Sequence, residues 1–321
     1  FLSLLAMPGA SIYNNQMIGT GPWILDDWIH DGHLLFSRNN NYFNGKANFE
    51  KLKIRILPEP LPRSAEFITG YLDIMEIPNS EFPLWVSDQK LNDQIVYSND
   101  LNIYYIGLNC ARPPFNNKIV RQAINYAIDT KSIIKNILHN NAIKATGPIP
   151  PQLLEESSDD KYIYNPKKAI NLLHKAGYQS GFSVDLWQGN SDQVSYIIEA
   201  IQAQLAQVGI TIKIIKTDWN IYTQAINEGV PDMYYRSWYA DYPNAENFIA
   251  PLFESSISNK RWNRYSNTTL DSLIHVLQTN INNKDALIQA NEILIDEVPW
   301  AYLWHTKTPY IVQKNIINWT P

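Results

Sequence analysis

The stretch from residue 182 to residue 238 most narrows what this chain can fold into. Three short apolar runs, 182–187, 211–216 and 233–238, alternate with helical patterns at 194–208 and 219–228. Each helical pattern stops on a glycine, Gly209 and Gly229, the residue that leaves a helix through left-handed backbone at least cost. The default geometry for a strand–helix–strand unit is a parallel pair joined by a right-handed crossover. An α/β protein follows.

Upstream, the texture is consistent with that reading. In 118–127, Val120, Ala123, Ile124 and Ala127 fall on one helical face, and Asp129 or Thr130 can cap a second helix carrying Ile133, Ile134 and Ile137. In 165–177, Asn165 is an N-cap, Pro166 takes the first helical position, and Gly177 closes the helix over a stripe of Ala169, Leu172, Leu173 and Ala176. Two more helices are predicted over 270–279 and 285–296, followed by an apolar strand at 300–304. The first hundred residues read as β-rich, with strands predicted at 23–28, 34–38 and 52–57 between Gly and Asn clusters.

Composition excludes several classes. Hydrophobic residues make up 45% of 321, enough for a sizeable core, which rules out a disordered chain. A net charge of −5 argues against a surface for nucleic-acid phosphates, so no nucleic-acid partner is expected. Cys110 is the single cysteine, which excludes an internal disulfide and a Cys-rich zinc site. No apolar run approaches the roughly 18 residues of a membrane span. The opening FLSLLAMPGA has neither an initiator Met nor a basic n-region, and it reads as the interior of something longer.

Nothing in the pattern specifies catalysis. Nucleophile-elbow, P-loop, dinucleotide-binding and zinc-protease motifs are absent. His30 and His33 lie in a turn-prone stretch without further ligands, so no metal site is expected, and Asp26 and Asp27 are neighbours in a solvated turn. No cofactor is expected either. The aromatic load says more: ten Trp and 19 Tyr exceed what a core of this size requires, and such side chains can line a cleft.

Several phrases gain force from their order. GTGPWILDDWIHDGHLLFSRNNNYFNGKANFEKLKIRIL at 19–57 precedes GYLD at 70–73 and IGLNCARPPFNNKIVRQAINYAID at 106–129. KKAINLLHKAGY at 167–178, LAQVGITIKI at 205–214, DMYYRSWYADYPNAENFIAPLF at 232–253 and EVPWAYLWH at 297–305 follow. This ordered set resembles the family 5 extracellular solute-binding proteins, the oligopeptide- and dipeptide-binding receptors of ABC importers, over essentially the whole chain.

The resemblance implies an α/β, periplasmic-binding-protein-like two-lobed clamp of type II, peptide-receptor class, with ligand enclosed between lobes. It implies an N-terminally truncated one, because the matched phrases begin after parts that a complete member carries; an unpaired sheet edge near Phe1 to Leu5 is then expected. Residues 1–102 would be the second part of lobe I, 103–298 lobe III, and 299–321 a crossover strand returning to lobe I. The hinge would run through 103–109 and 299–314.

The resemblance also proposes a site. Asp241, in the phrase Trp238-Tyr239-Ala240-Asp241, matches the carboxylate that receives a peptide's N-terminal ammonium; its alternative role is to cap a helix starting near Asn244. Trp238 and Trp219 match pocket tryptophans, and Tyr239 stands within the same phrase. Tyr104 and Tyr105 sit on the crossover strand, where alternation turns only one toward a cleft. Some relatives carry an Arg three residues before the Trp; here Tyr235 stands there and Arg236 is one step later, on the opposite face. The expected function is a non-catalytic, monomeric receptor, periplasmic or a cell-surface lipoprotein, that takes a short peptide or similar small solute to an ABC permease. The same scaffold serves sugars and metal chelates, and it also serves as the sensor module of cytoplasmic transcription regulators, which an upstream helix-turn-helix would reveal.

Overall fold

A computed structural model describes residues 19–154, 159–258, 260 and 262–321. The edge expected near Phe1 to Leu5 lies outside them. Two compact units divide the chain: Phe1–Glu81 with Val312–Ile317, and Phe82–Ile311 with Asn318–Pro321.

The first unit carries β1 (Trp23–Ile29), β2 (His33–Arg38) and β3 (Lys51–Arg55) in an antiparallel sheet of order β1-β2-β3. Polar turns separate apolar alternation here, and Leu34 and Phe36 are the buried positions of β2. The β-rich reading of this region needs one correction. Helix α1 (Pro60–Ile68) follows β3, and α2 (Phe82–Ser87) and α3 (Gln89–Asn92) open the second unit. The prolines of α1 resemble turn chemistry in sequence, but Pro60 stands at the helix start, where its missing N–H costs nothing. Strand β4 (Ile74–Glu76) comes next. Gln313 returns to this unit, donating its main-chain N–H to Asp73 O at 2.8 Å and its side-chain amide to Phe67 O at 2.8 Å.

The second unit begins with the two short helices and β5 (Ile95–Tyr97), then β6 (Asn102–Leu108), α4 (Lys118–Ala127), α5 (Thr130–Asn136), β7 (Ala142–Lys144) and α6 (Pro166–Lys175). The caps are those their local sequence calls for. Asp129 accepts from Ser132 N at 3.1 Å and Asn165 from Lys168 N at 2.9 Å. Next come β8 (Phe182–Gly189), α7 (Asp192–Ala206), β9 (Ile210–Thr217), α8 (Trp219–Glu228) and β10 (Met233–Tyr239). Gly177, Gly209 and Gly229 all hold positive φ. The chain ends through α9 (Ala250–Phe253), α10 (Ser255–Ser258), α11 (Thr268–Thr279), α12 (Lys284–Glu297), β11 (Trp300–Thr306) and β12 (Pro309–Val312).

The six-stranded sheet has the order β7-β11-β6-β10-β8-β9. Strands β8 and β9 run parallel, β10 runs parallel to β8, and β6 is antiparallel to both β10 and β11. From β8 the chain steps outward to β9 and then back past β8 to β10. Right-handed crossovers in opposite directions put α7 and α8 on opposite faces, so a topological switch lies between β8 and β10.

Strands β6 and β11 lie side by side, as a hinge there requires, yet both belong wholly to the second unit. The contact-defined units change over at Glu81/Phe82, Ile311/Val312 and Ile317/Asn318.

Candidate functional site

The carboxyl ends of β8 and β10 meet at the switch point, where open α/β sheets bind ligands. Trp219 begins α8 directly after β9 and is 61% exposed. Its ring lies over Gly189, the last residue of β8, where an added Cβ would already be in van der Waals contact at 3.6 Å. On β10, Trp238 stands one residue from the strand end, half-buried, and its indole N–H donates to Asn247 Oδ1 at 3.2 Å. The main-chain N–H of Asp241 donates to that same oxygen at 3.0 Å.

The alternative role for Asp241 is occupied by another residue. Asn244 caps the short turn Ala245–Phe248, its side chain accepting from Glu246 N at 2.9 Å. The Asp241 carboxylate is exposed and has no side-chain hydrogen bond or ion pair among the described residues.

Strand register separates the remaining candidates. Across the β6–β10 pair, Tyr104 faces Ser237, Tyr105 faces Arg236, and Ile103 faces Trp238. Side chains alternate, so Tyr105, Arg236 and Trp238 share one face while Tyr104, Tyr235 and Tyr239 share the other. Tyr105 is fully buried, stacked on Trp300 with ring centroids 3.5 Å apart. It is a core residue. Tyr104 shares a 2.8 Å hydroxyl–hydroxyl hydrogen bond with Tyr239, which is 51% exposed, and its ring lies 6.3 Å from that of Trp304. Burial, and then the Tyr239 hydroxyl, drive the Tyr104 phenol far above its ordinary range, so it stays protonated. The candidates thus form two groups: Trp219, Trp238 and Asp241 about the switch point, and Tyr104 with Tyr239 on the opposite sheet face.

Three residues of the switch-point group were not singled out as site residues from sequence. Asn247 lies in a stretch where nothing local shows what its amide will hold. Arg236 lies on the face of Trp238, with its guanidinium carbon 4.1 Å from the ring centroid of Trp262 and 5.7 Å from that of Trp219. Trp262 is distant in sequence and reaches the site only through the fold.

The fold agrees with what known proteins show. A model of the bacterial extracellular solute-binding proteins, family 5 Middle, matches residues 5–260. The chain belongs to this family. Heme-binding protein A from Haemophilus influenzae is 30% identical over 95% of the chain, and the dipeptide-binding protein of Escherichia coli is 27% identical over 98%. The chain spans 57% and 64% of the lengths of these two relatives. A periplasmic binding protein DppA from Helicobacter pylori, solved with the peptide STSA, superposes with a TM-score of 0.78 at 28% identity, covering 92% of this chain and 59% of that one. This family 5 member therefore has the α/β fold of the periplasmic peptide-binding proteins, and its family is one of solute-binding receptors rather than enzymes.

Proposed function

We propose that the chain is the substrate-binding receptor of an ABC importer, non-catalytic and periplasmic or cell-surface, which captures a short peptide and delivers it to a membrane permease. Within it, residues 103–298 correspond to the ligand-binding lobe III, residues 1–102 to the second part of lobe I, and 299–321 to the returning segment. The observation that carries the reading is Asp241, whose main-chain N–H shares the acceptor Asn247 Oδ1 with the Trp238 indole just past the end of the switch-point strand, and whose exposed carboxylate is unpaired among the described residues. An α-ammonium leaving water needs such a partner, and charge-assisted hydrogen bonds are the strong ones. The relatives' names add dipeptides, glutathione and heme as cargoes of those proteins.

Calorimetry on four combinations tests this: wild type and Asp241→Asn, each with a tripeptide and its N-acetyl form. A lost hydrogen bond to a charged group corresponds to roughly ten- to hundredfold in affinity. Either change alone should cost that much, and the second should add little, since both delete one interaction. Additive losses, or unchanged affinity in Asp241→Asn, would remove the ammonium role and favour a solute without an amine.

A further inference from the structure

A further pocket opens in the second unit, on the sheet face away from Trp219. Side chains alternate along β8, so Gln188 points to the opposite side from Gly189, the residue that Trp219 covers. The register of β8 with β9 sets Leu186 beside Ile214 and Gln188 beside Lys216. Helix α7 packs over this side, with Ile197, Ile198 and Ile201 in the core. Toward the carboxyl ends of the two strands a cavity of about 470 Å³ lies between strands and helix, lined by Gln188, Ser195, Tyr196, Glu199, Ile214 and Lys216. Small-molecule sites run from roughly 300 to 1,000 Å³.

The lining is one-sided in its hydrogen bonding. Gln188 is 2% exposed, and its Nε2 donates to Ser195 Oγ at 3.1 Å. Ser195 Oγ commits its own proton to Ser191 O at 3.0 Å, so it can only accept from Gln188, and the amide is turned with Nε2 toward it. Gln188 Oε1 is left buried without a hydrogen-bond partner among the described residues. Glu199, one turn along α7 from Ser195, is exposed, and its carboxylate has no hydrogen bond or ion pair among the described residues. Tyr196, three residues before Glu199 and so on the same side of the helix, is 64% exposed. Lys216 is already engaged, and with neither of these oxygens.

The open groups are therefore all acceptors: an amide oxygen, a carboxylate and an aromatic ring. A primary ammonium answers each of them, with N–H donors for both oxygens and a positive charge for the carboxylate and the ring face. A solute anion would meet Glu199 as a like charge, and a hydroxyl has a single proton to share between two oxygens.

We propose that this cavity is a second solute site, which receives the primary ammonium of a small amine on Gln188 Oε1 and Glu199 with Tyr196 beside it. It lies on the other sheet face from Trp219, uses no residue of the switch-point group and stands whether or not the receptor reading holds.

n-Butylamine, protonated at pH 7, and neutral n-butanol are titrated calorimetrically into wild type and into Asp241→Asn, which takes the other unpaired carboxylate out of play. Asp241→Asn is then combined with Glu199→Gln or Gln188→Met, and near-ultraviolet circular dichroism reports that each variant is folded. Asp241→Asn should bind butylamine saturably and butanol at least roughly tenfold more weakly. Adding Glu199→Gln, an exposed substitution, should weaken butylamine roughly tenfold, and folded Gln188→Met should do the same. No saturable binding of butylamine in Asp241→Asn overturns the proposal, since any amine bound by wild type then sits at Asp241. Affinity unchanged by Glu199→Gln, or butanol bound as well as butylamine, overturns it too. Peptide affinity in the Glu199→Gln single variant should match wild type, so the receptor reading and this site fail separately.

Discussion

Trp238 and Asp241 are fastened to one atom. Asn247 Oδ1 accepts the indole N–H of the first at 3.2 Å and the main-chain N–H of the second at 3.0 Å. The strand end and the loop that follows it are thus set relative to each other before any solute arrives. Asn247 is only 3% exposed, and its loss would leave the two donors without their shared acceptor.

Asn247→Ala should destabilise the protein by about 1–3 kcal/mol, the usual cost of a buried polar group left unsatisfied. Urea unfolding checks this, and Trp238 fluorescence in the folded state should shift as the ring is released. A loss below about 0.5 kcal/mol with an unchanged spectrum would show that the shared acceptor sets nothing.

Gly107→Ala should be among the most damaging small substitutions in the sheet. Gly107 faces Tyr234 across the β6–β10 pair, and a Cβ there would lie 2.1 Å from Tyr234 Cζ. Tyr234 is itself buried at the sheet centre and cannot swing away. Overpacking of this kind costs about 1–3 kcal/mol or more. Unfolding midpoints should fall accordingly, and adding Tyr234→Leu should recover part of the loss. A neutral Gly107→Ala would contradict this packing.

His305 should make stability fall in acid. The ring is 3% exposed, and burial lowers its pKa from 6.5 to about 4, against the opposing main-chain hydrogen bond. Neutral imidazole carries one proton, which here sits on Nδ1 and is donated to Asn102 O at 2.5 Å. The folded state thus resists a second proton that the unfolded state takes up below pH 6.5. Between pH 6.5 and pH 4 the unfolded chain binds more protons, so stability declines as pH falls through that window, by about 3 kcal/mol from this residue. Urea midpoints at pH 7, 5.5 and 4 should drop more steeply in wild type than in His305→Gln. Parallel slopes would mean that His305 titrates normally.

Much of the second unit was legible because its signals are local. Asp129 and Asn165 cap the helices that follow them, and Gly177, Gly209 and Gly229 end theirs, because these choices depend on a few adjacent residues. The first unit was less legible: the prolines of α1 carry the same local signal at a helix start as at a turn, and only the packing of Phe67 separates the two.

By itself the sequence determined most of the second unit's succession of strands and helices, their caps, the α/β class and, through ordered motifs, the family. It also placed Trp238 and Asp241 in one phrase, which no fold was needed to join. Tertiary structure decided which side chains meet. Tyr104 and Tyr105 are adjacent in sequence, yet one reaches Tyr239 and the other lies under Trp300, because the pairing of β6 with β10 sets every side chain's face. Arg236 takes its face from the same pairing, while Trp219, Trp262 and Asn247 are brought to β10 from a helix, a loop and a short turn. Face and register come from partners far away along the chain, and a change of one residue in pairing would turn Tyr104, Tyr105 and Arg236 to the other side of the sheet.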